Sequence, residues 1–226
     1  MTVSRGVSTF FDNFDRAQAF TTTPGQNGWT IADTSSSGTP TYLCATENGG
    51  AAVLTLVSTS EVENICLYHN DVLMFDVAEL QHFWCIAKVA AVGSNSVVTF
   101  GLGSARADDE DTVATNAWFK MEGATSTTAV VAETDDAVTD NNDKATGETL
   151  AATYKKFQID FTRGLTDIRF LIDGKRVADA TTFGMSGLTA GLNVQPMFQV
   201  SKASSADVPV LTIAQVGIQY QWNYGA

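Results

Sequence analysis

The chain has 226 residues, of which 44% are hydrophobic and 17% are charged, and its formal net charge at pH 7 is −12. The hydrophobic fraction is too high for a disordered chain. The acidic balance argues against binding to the phosphates of nucleic acids, which needs a basic face. No run approaches the ~18 consecutive apolar residues of a membrane span. We therefore expect neither nucleic acid nor a membrane as a partner.

The start of the chain and its cysteines indicate a protein made in the cytoplasm. Residues 1–11 lack the basic stretch followed by an apolar stretch that marks a secretory signal. Cys44, Cys66 and Cys85 are odd in number and show no CxxC spacing, which predicts free thiols, with one disulfide as the alternative. The length suits one all-β domain over residues 1–226, with residues 1–9 as a candidate extended N-terminal arm.

Alternation of apolar and polar residues with a period of two dominates the chain, and helical periodicity is nearly absent. This pattern predicts about ten to fourteen short strands separated by turns rich in Gly, Asn, Asp and Ser. A short turn is predicted over residues 76–81, and a bulge at Ala214-Gln215, where the alternation changes parity. The predicted strands are residues 51–57, 82–92, 96–102, 118–122, 127–132, 157–161, 168–172, 175–178 and 211–222.

The clearest local prediction is an antiparallel meander over residues 157–178. Its first two strands alternate strictly, and Asp173-Gly174 is the dipeptide typical of a two-residue type I′ turn. Many short antiparallel strands without a fixed internal repeat predict an all-β fold, a two-sheet antiparallel β-sandwich.

The order of these features resembles the concanavalin A-like lectin and glucanase jelly roll. The resemblance covers nearly the whole chain, and its motifs carry weight through their order. They are Phe10-Phe11-Asp12-Asn13-Phe14 followed by Trp29, Gly49-Gly50 before a strand, residues 73–87, Phe100-Gly101-Leu102, the hairpin over residues 154–174, and the closing strand over residues 211–220.

Within that superfamily the chain is similar to virion proteins of tailed bacteriophages, which share its acidic, lysine-poor composition. The resemblance implies a non-enzymatic capsid decoration, or cement, protein on the virion surface. Its partners would be the major capsid protein and other copies of itself, with a trimer as a candidate assembly. A carbohydrate-binding adhesin of a head fibre or tail is the alternative, and a glycan-cleaving enzyme of the same fold is the third hypothesis.

A search for catalytic residues predicts none, and therefore no enzyme. A retaining glucanase needs two carboxylates about 5–5.5 Å apart. Glucanases of this superfamily carry three acids along one strand, whereas the nearest match here is the pair in Glu61-Val62-Glu63. The two histidines, His69 and His82, show no pattern of a nucleophilic triad, and no G-x-S-x-G motif is present.

Two further groups of residues are candidates for binding. The acids are concentrated between residues 104 and 148, where we expect solvated loops and no cofactor, with calcium as the alternative. The best candidate ligands are Asp135, Asp136, Asp140 and Asp143, and residues 108–111 come second. The candidate contacts for a glycan or a partner are the aromatic residues Trp29, Tyr220, Trp222 and Tyr224.

Overall fold

The computed structural model describes residues 6–16, 19–45, 47, 49–187 and 193–222. This part of the chain confirms the all-β prediction, with short 3-10 turns at Gln26–Gly28, Val77–Glu79 and Glu110–Thr112. No helix in it has the length and apolar character needed to cross a membrane. The strands are β1 (Gly6–Asp12), β2 (Thr30–Asp33), β3 (Thr41–Ala45), β4 (Ala51–Thr55), β5 (Glu63–Tyr68), β6 (Phe75–Asp76), β7 (Leu80–Ala90), β8 (Ser96–Gly103), β9 (Asn116–Glu122), β10 (Ala129–Asp135), β11 (Asp140–Thr149), β12 (Lys155–Asp160), β13 (Arg169–Ile172), β14 (Lys175–Val177), β15 (Asn193–Lys202) and β16 (Val210–Trp222).

The strands form two antiparallel sheets of eight. The first sheet has the order β14-β13-β12-β7-β16-β4-β3, and β1 pairs with β16 beyond the end of β4. The second has the order β11-β10-β9-β8-β15-β5-β2, and the short β6 pairs with β15. This is the predicted two-sheet sandwich.

Local predictions of turns and bulges are confirmed. The register between β16 and β7 shifts between Ile213 and Gln215, at the predicted change of parity. Asp173 and Gly174 have φ angles of 51° and 79°, as a type I′ turn between β13 and β14 requires. The predicted short turn over residues 76–81 contains the 3-10 turn Val77–Glu79.

Several predictions of where strands and loops lie in the chain were wrong. The strands β5 and β15 were missed because both of their faces are buried, so their sequences show no clean alternation. The acidic stretch predicted as loop contains β11. The predicted N-terminal arm is wrong for residues 6–9, which belong to β1 and pair with β16; residues 1–5 lie outside the described part. Cys44, Cys66 and Cys85 form no disulfide with one another.

The core lies between the sheets and is rich in aromatic rings. Phe119 stacks on Phe100 with ring centroids 5.8 Å apart, and meets Phe157 and Phe170 edge to face. Each ring is fully buried, and burial of a Phe side chain contributes roughly 1.5–3 kcal/mol. Strands β8 and β9 of the second sheet and β12 and β13 of the first are held together by these contacts.

A buried ion pair closes one end of the core. Lys202 and Glu63 are directly opposite each other on β15 and β5, and both side chains are fully buried. The Lys202 ammonium lies 3.3 Å from Glu63 Oε2 and donates to the carbonyls of Val57, Thr59 and Ser205. Because these acceptors replace the lost hydration, the pair ties two loops to the end of the sandwich.

Removal of this ammonium should destabilise the fold strongly. We expect Lys202→Met to lower the free energy of unfolding by about 3–5 kcal/mol, because Glu63 and three carbonyls would stay buried without their donor. Urea unfolding measures the change. The matched control is Lys175→Met on the exposed end of β14, for which we expect a change within about 0.5 kcal/mol. Equal stability of the two variants would show that the pair is not an anchor.

Candidate functional site

The outer face of the second sheet, which points away from the core, is polar at its centre. On β9 the residues Ala117, Phe119 and Met121 face the core, so Asn116, Trp118 and Lys120 point outward. Neighbouring strands extend this face through residues paired with them. They are Glu133 on β10, Thr99 on β8, Gln195 and Gln199 on β15, and Asn64 on β5. We call these eight residues the polar floor.

The polar floor is buried, yet many of its hydrogen-bonding atoms have no partner. Lys120 is 2% exposed and Glu133 is 1% exposed. An unsatisfied buried donor or acceptor costs about 1–3 kcal/mol, so such atoms are normally satisfied by water or by a ligand. The unpartnered floor atoms are Asn64 Oδ1, Thr99 Oγ1, Asn116 Oδ1, Trp118 Nε1, Glu133 Oε2 and Gln199 Oε1.

The loop between β8 and β9, residues 104–115, covers the polar floor. Its Val113 is buried in a small apolar cluster on the same face, together with Trp118, Met197 and Cys66. Next to this cluster, the Asp108 carbonyl accepts hydrogen bonds from Asn64 Nδ2 at 2.5 Å and Gln199 Nε2 at 2.9 Å. The floor is therefore buried by a loop of the chain itself and not by the opposite sheet.

Lys120 is the centre of a group of carboxylates at one end of the floor. Its Nζ lies 2.7 Å from Asp111 Oδ1, 3.5 Å from Asp143 Oδ1 and 4.0 Å from Glu110 Oε1. Asp143 has a φ of 50° and lies where the β10–β11 register shifts, which lets its carboxylate reach across β10. Glu133 completes the group, and its Oε1 accepts from Asn116 Nδ2.

The charges in this group shift the proton affinities of its members. Burial raises the pKa of Glu110 to about 7, against the attraction of Lys120. Burial likewise raises the pKa of Glu133 to about 7, and the nearby Asp111 and Asp143 act in the same direction. Burial lowers the pKa of Lys120, but the hydrogen bond to Asp111 and the surrounding carboxylates outweigh it and raise the value overall. Lys120 therefore stays charged at neutral pH, and the two carboxyl groups beside it, those of Glu110 and Glu133, have pKa values near neutral pH.

The indole of Trp118 forms part of the floor because a glycine lies beside it. Gly101 on β8 is paired with Trp118. A Cβ added to Gly101 would overlap both Cα and Cβ of Trp118. Trp118 lies in the predicted strand 118–122. It is fully buried, but beneath the loop and on the outer face.

The prediction of Trp29 as an exposed contact was wrong. The side chain is fully buried, and its Nε1 donates to Asp12 Oδ2 at 2.8 Å. Its ring packs against His69, with the centroids 4.5 Å apart, and against Phe14. A sugar or a partner approaching from solvent cannot reach it in this structure.

The other aromatic candidates lie near the end of β16. Tyr220 is half-buried and meets Phe75 edge to face at 5.1 Å. The backbone of Trp222 pairs with Gly6. The side chain of Trp222 and all of Tyr224 lie outside the described part. A contact role for these three residues stays a prediction.

The candidate calcium ligands do not form one group. Asp136 accepts hydrogen bonds from the backbone amides of Val138, Thr139 and Gly187, while Asp143 faces Lys120. Asp135 accepts from the amide of Ala137, and Asp140 from the side chain of Asn142. In the described ranges, the carboxylates close enough to share an ion are Asp109, Glu110 and Asp111, from the second candidate stretch. Calcium binding stays a prediction.

The acidic pair and the histidines have other surroundings. Glu63 is the partner of Lys202 in the core. His69 is buried against Trp29 and Phe10, and burial lowers its pKa to about 4. His82 lies on the outer face of the first sheet, with Nδ1 3.6 Å from Asp160 Oδ1.

The sequence search missed Lys120, Glu133 and Glu110 as a group. They come from β9, from β10 and from the covering loop, so no short motif contains them. The one usable signal is Lys120 itself, a charged residue that follows three apolar residues and precedes a fourth in β9.

Comparison with known proteins identifies solved structures that have a similar fold. No protein-family model matches the chain, and no curated protein matches it. Solved structures do. The Bacteroides ovatus mixed linkage glucan PUL enzyme of glycoside hydrolase family 16, bound to its G4G4G3G product, is 12% identical with a TM-score of 0.62, over 92% of this chain and 99% of that chain. The Crh5 transglycosylase in complex with NAG is 15% identical with a TM-score of 0.57, over 97% and 88%. The carbohydrate recognition domain of Emp47p is 8% identical with a TM-score of 0.52, over 86% and 88%.

At these identities the likeness shows the fold alone, and that fold is the expected concanavalin A-like jelly roll. The neighbours contradict the prediction that the protein is not an enzyme, because a glycoside hydrolase and a transglycosylase share its architecture almost end to end. That prediction depended on a search for three acids in one strand. The carboxyl groups of this protein instead converge from two strands and a loop, an arrangement which such a search cannot detect.

The raised pKa of Glu133 predicts a specific dependence of stability on pH. The pKa of Glu133 is about 7 in the folded protein and near 4.5 in the unfolded chain. Its stabilising contribution to the free energy of unfolding is therefore fully present below pH 4.5 and is lost as the pH rises through 7. Glu133→Gln should remove this loss. Relative to wild type, the variant should gain up to about 3 kcal/mol in unfolding free energy between pH 4.5 and pH 8.

Urea unfolding at several pH values measures this difference. The opposite contribution of His69, whose lowered pKa costs stability as the pH falls from 6.5 towards 4, is common to both proteins and cancels. Glu61→Gln, four strands from β10, is the matched control and should run parallel to wild type. A Glu133→Gln curve parallel to wild type would contradict the assignment.

Proposed function

We propose that the protein binds glycans on the polar floor and cleaves them with Glu133 as the general acid. The observation that carries the proposal is the set of buried, unpartnered amide, hydroxyl, carboxyl and indole groups on the outer face of the second sheet. A sugar presents a ring of hydroxyl groups, each both a donor and an acceptor, and these would satisfy such atoms. The Trp118 indole adds an aromatic surface with a free N–H, a combination common at ligand sites.

The carboxyl groups supply the chemistry that glycoside cleavage needs. A general acid must hold its proton near neutral pH, which burial allows Glu133 to do. In this scheme Glu133 protonates the leaving glycosidic oxygen. Asp143, held 3.5 Å from the Lys120 ammonium, supplies the second carboxylate, which takes a proton from the water that attacks the sugar ring.

The charge of the site favours a neutral glycan. Lys120 is surrounded by more carboxyl groups than it can neutralise, and the whole chain carries −12. Uronate-rich or sulfated chains would be repelled from such a surface. The neighbours support this class, since one of them is described in complex with a glucan product and another with NAG.

An activity and binding screen tests the proposal. We expect reducing ends to be released from at least one polysaccharide in a panel of neutral β-glucans, chitin oligomers and mucin O-glycans. Glu133→Gln should lower that rate by at least about 100-fold while leaving oligosaccharide binding within a few-fold, because only the proton donor is lost. Glu61→Gln should keep full activity.

Three results would contradict parts of the proposal. Activity that survives in Glu133→Gln would move the chemistry elsewhere. Binding without cleavage in wild type would remove the catalytic role and leave a binding protein. Neither binding nor cleavage across the panel would overturn the proposal altogether.

The predicted virion location and capsid contact are independent of this chemistry and stay predictions. Quantitative mass spectrometry of purified particles, counting this chain per major capsid protein, tests them. A ratio near one, or a simple fraction such as one third, is expected for a shell-covering protein. A handful of copies would indicate a tail or fibre location, and absence from particles would contradict both.

A further inference from the structure

The covering loop, residues 104–115, is closed at its base and otherwise held by replaceable contacts. At the base, the Ser104 amide donates to the Thr115 carbonyl at 2.8 Å, and the Thr115 amide donates to Ser104 Oγ at 3.2 Å. These two bonds join the ends of β8 and β9. They can persist while the rest of the loop moves, because they do not involve the floor.

The body of the loop rests on the floor mainly through polar contacts. The Ser104 and Asp108 carbonyls accept from Gln195, Gln199 and Asn64. Arg106 is bonded to Thr34 and to Asp108, and its backbone amide donates to Asp71 Oδ1 at 2.8 Å. Water or a ligand hydroxyl can replace each neutral bond at a net cost of about 1 kcal/mol, and each bond to a carboxylate at about 1.5–3 kcal/mol. Two loop side chains belong to the apolar cluster on this face, Val113, which is buried, and Ala107, which is partly buried and packs against it.

Electrostatic repulsion between carboxylates of the loop and of the sheet disfavours the closed position of the loop. Residues 108–111 are four consecutive acids, and beneath them lie Glu133 and Asp143 of the sheet. The cations that offset these charges are Lys120, at 2.7 Å from Asp111, and Arg106. The Asp111 carboxylate is more than half exposed, so solvent reaches this contact directly.

We propose that residues 104–115 form a lid over the polar floor, that the ion pair between Lys120 and Asp111 is its latch, and that the lid must open for a glycan to enter. The ligand in this inference rests on the proposed function. The opening itself does not, because it is a motion of the free protein. Once the lid is open, the unpartnered floor atoms can form hydrogen bonds with the ligand that replaces the lid carbonyls.

Hydrogen exchange of the full chain tests the lid without any ligand. In wild type, the amides of residues 106–113 should exchange faster than those of β8 and β9 by at least tenfold, because they open without global unfolding. Asp111→Asn keeps the shape of the side chain but removes the charge on the latch. It should accelerate exchange in residues 106–113 about tenfold and leave β8 and β9 unchanged.

The matched control is Asp109→Asn, which makes the same change of charge in the same loop. Asp109 Oδ1 accepts from the Asp111 amide, and an Asn oxygen can still do so. This variant should exchange within about twofold of wild type. If the loop amides in wild type and in Asp111→Asn exchange only as fast as those of β9, the lid does not open and the inference is overturned. Equal acceleration by both variants would refute the latch.

A binding measurement then separates the lid from the proposed function. With a glycan from the screen, Asp111→Asn should bind more tightly than Asp109→Asn, by up to the factor by which its lid opening increases. Faster lid exchange without binding of any glycan would uphold the lid and refute the glycan. Binding that is equal in both variants, despite faster exchange, would show that the ligand does not enter beneath the lid.

Discussion

A single buried ammonium organises the outer face of the second sheet. Lys120 lies at the centre of β9, and its charge is what allows carboxyl groups from β10, β11 and the covering loop to approach one another. Without a cation there, mutual repulsion and burial would drive these groups apart or into their protonated forms. Lys120 holds Asp111 of the loop over the floor, and its charge opposes the rise that burial causes in the pKa values of Glu110 and Glu133.

The protein contains a second buried ammonium, and the contrast between the two is informative. Lys202 lies on the core side of its sheet and is surrounded by three carbonyls and one carboxylate. Lys120 lies on the outer side among groups that carry excess negative charge and unpartnered atoms. The first arrangement is what a structural role requires. The first group has one unpartnered oxygen, Glu63 Oε1, whereas the second adjoins six unpartnered atoms, which is typical of a site built for something other than stability.

Strands that are buried on one face were predictable, and the site was not. The β12–β14 meander follows from strict alternation and from Asp173-Gly174, since both signals are local. Trp29 was misplaced because rings that pack against it, those of His69 and Phe198, are distant in sequence. The acids predicted as a cation site were grouped by their spacing along the chain. The fold separates them, turning Asp136 into a hairpin and Asp143 towards Lys120. Only the long-range register of the sheet could have revealed the true group.

The position of β16 has a consequence for how the protein is made. This strand comes late in the chain but lies inside the first sheet, between β7 on one side and β1 and β4 on the other. During synthesis those three strands leave the ribosome with open edges and stay unpaired on that side until residues 210–222 emerge. Pairing over such sequence separations is slow. The nascent chain therefore exposes strand edges that chaperones or other chains can bind. These edges are protected from intermolecular pairing only when β16 has been inserted.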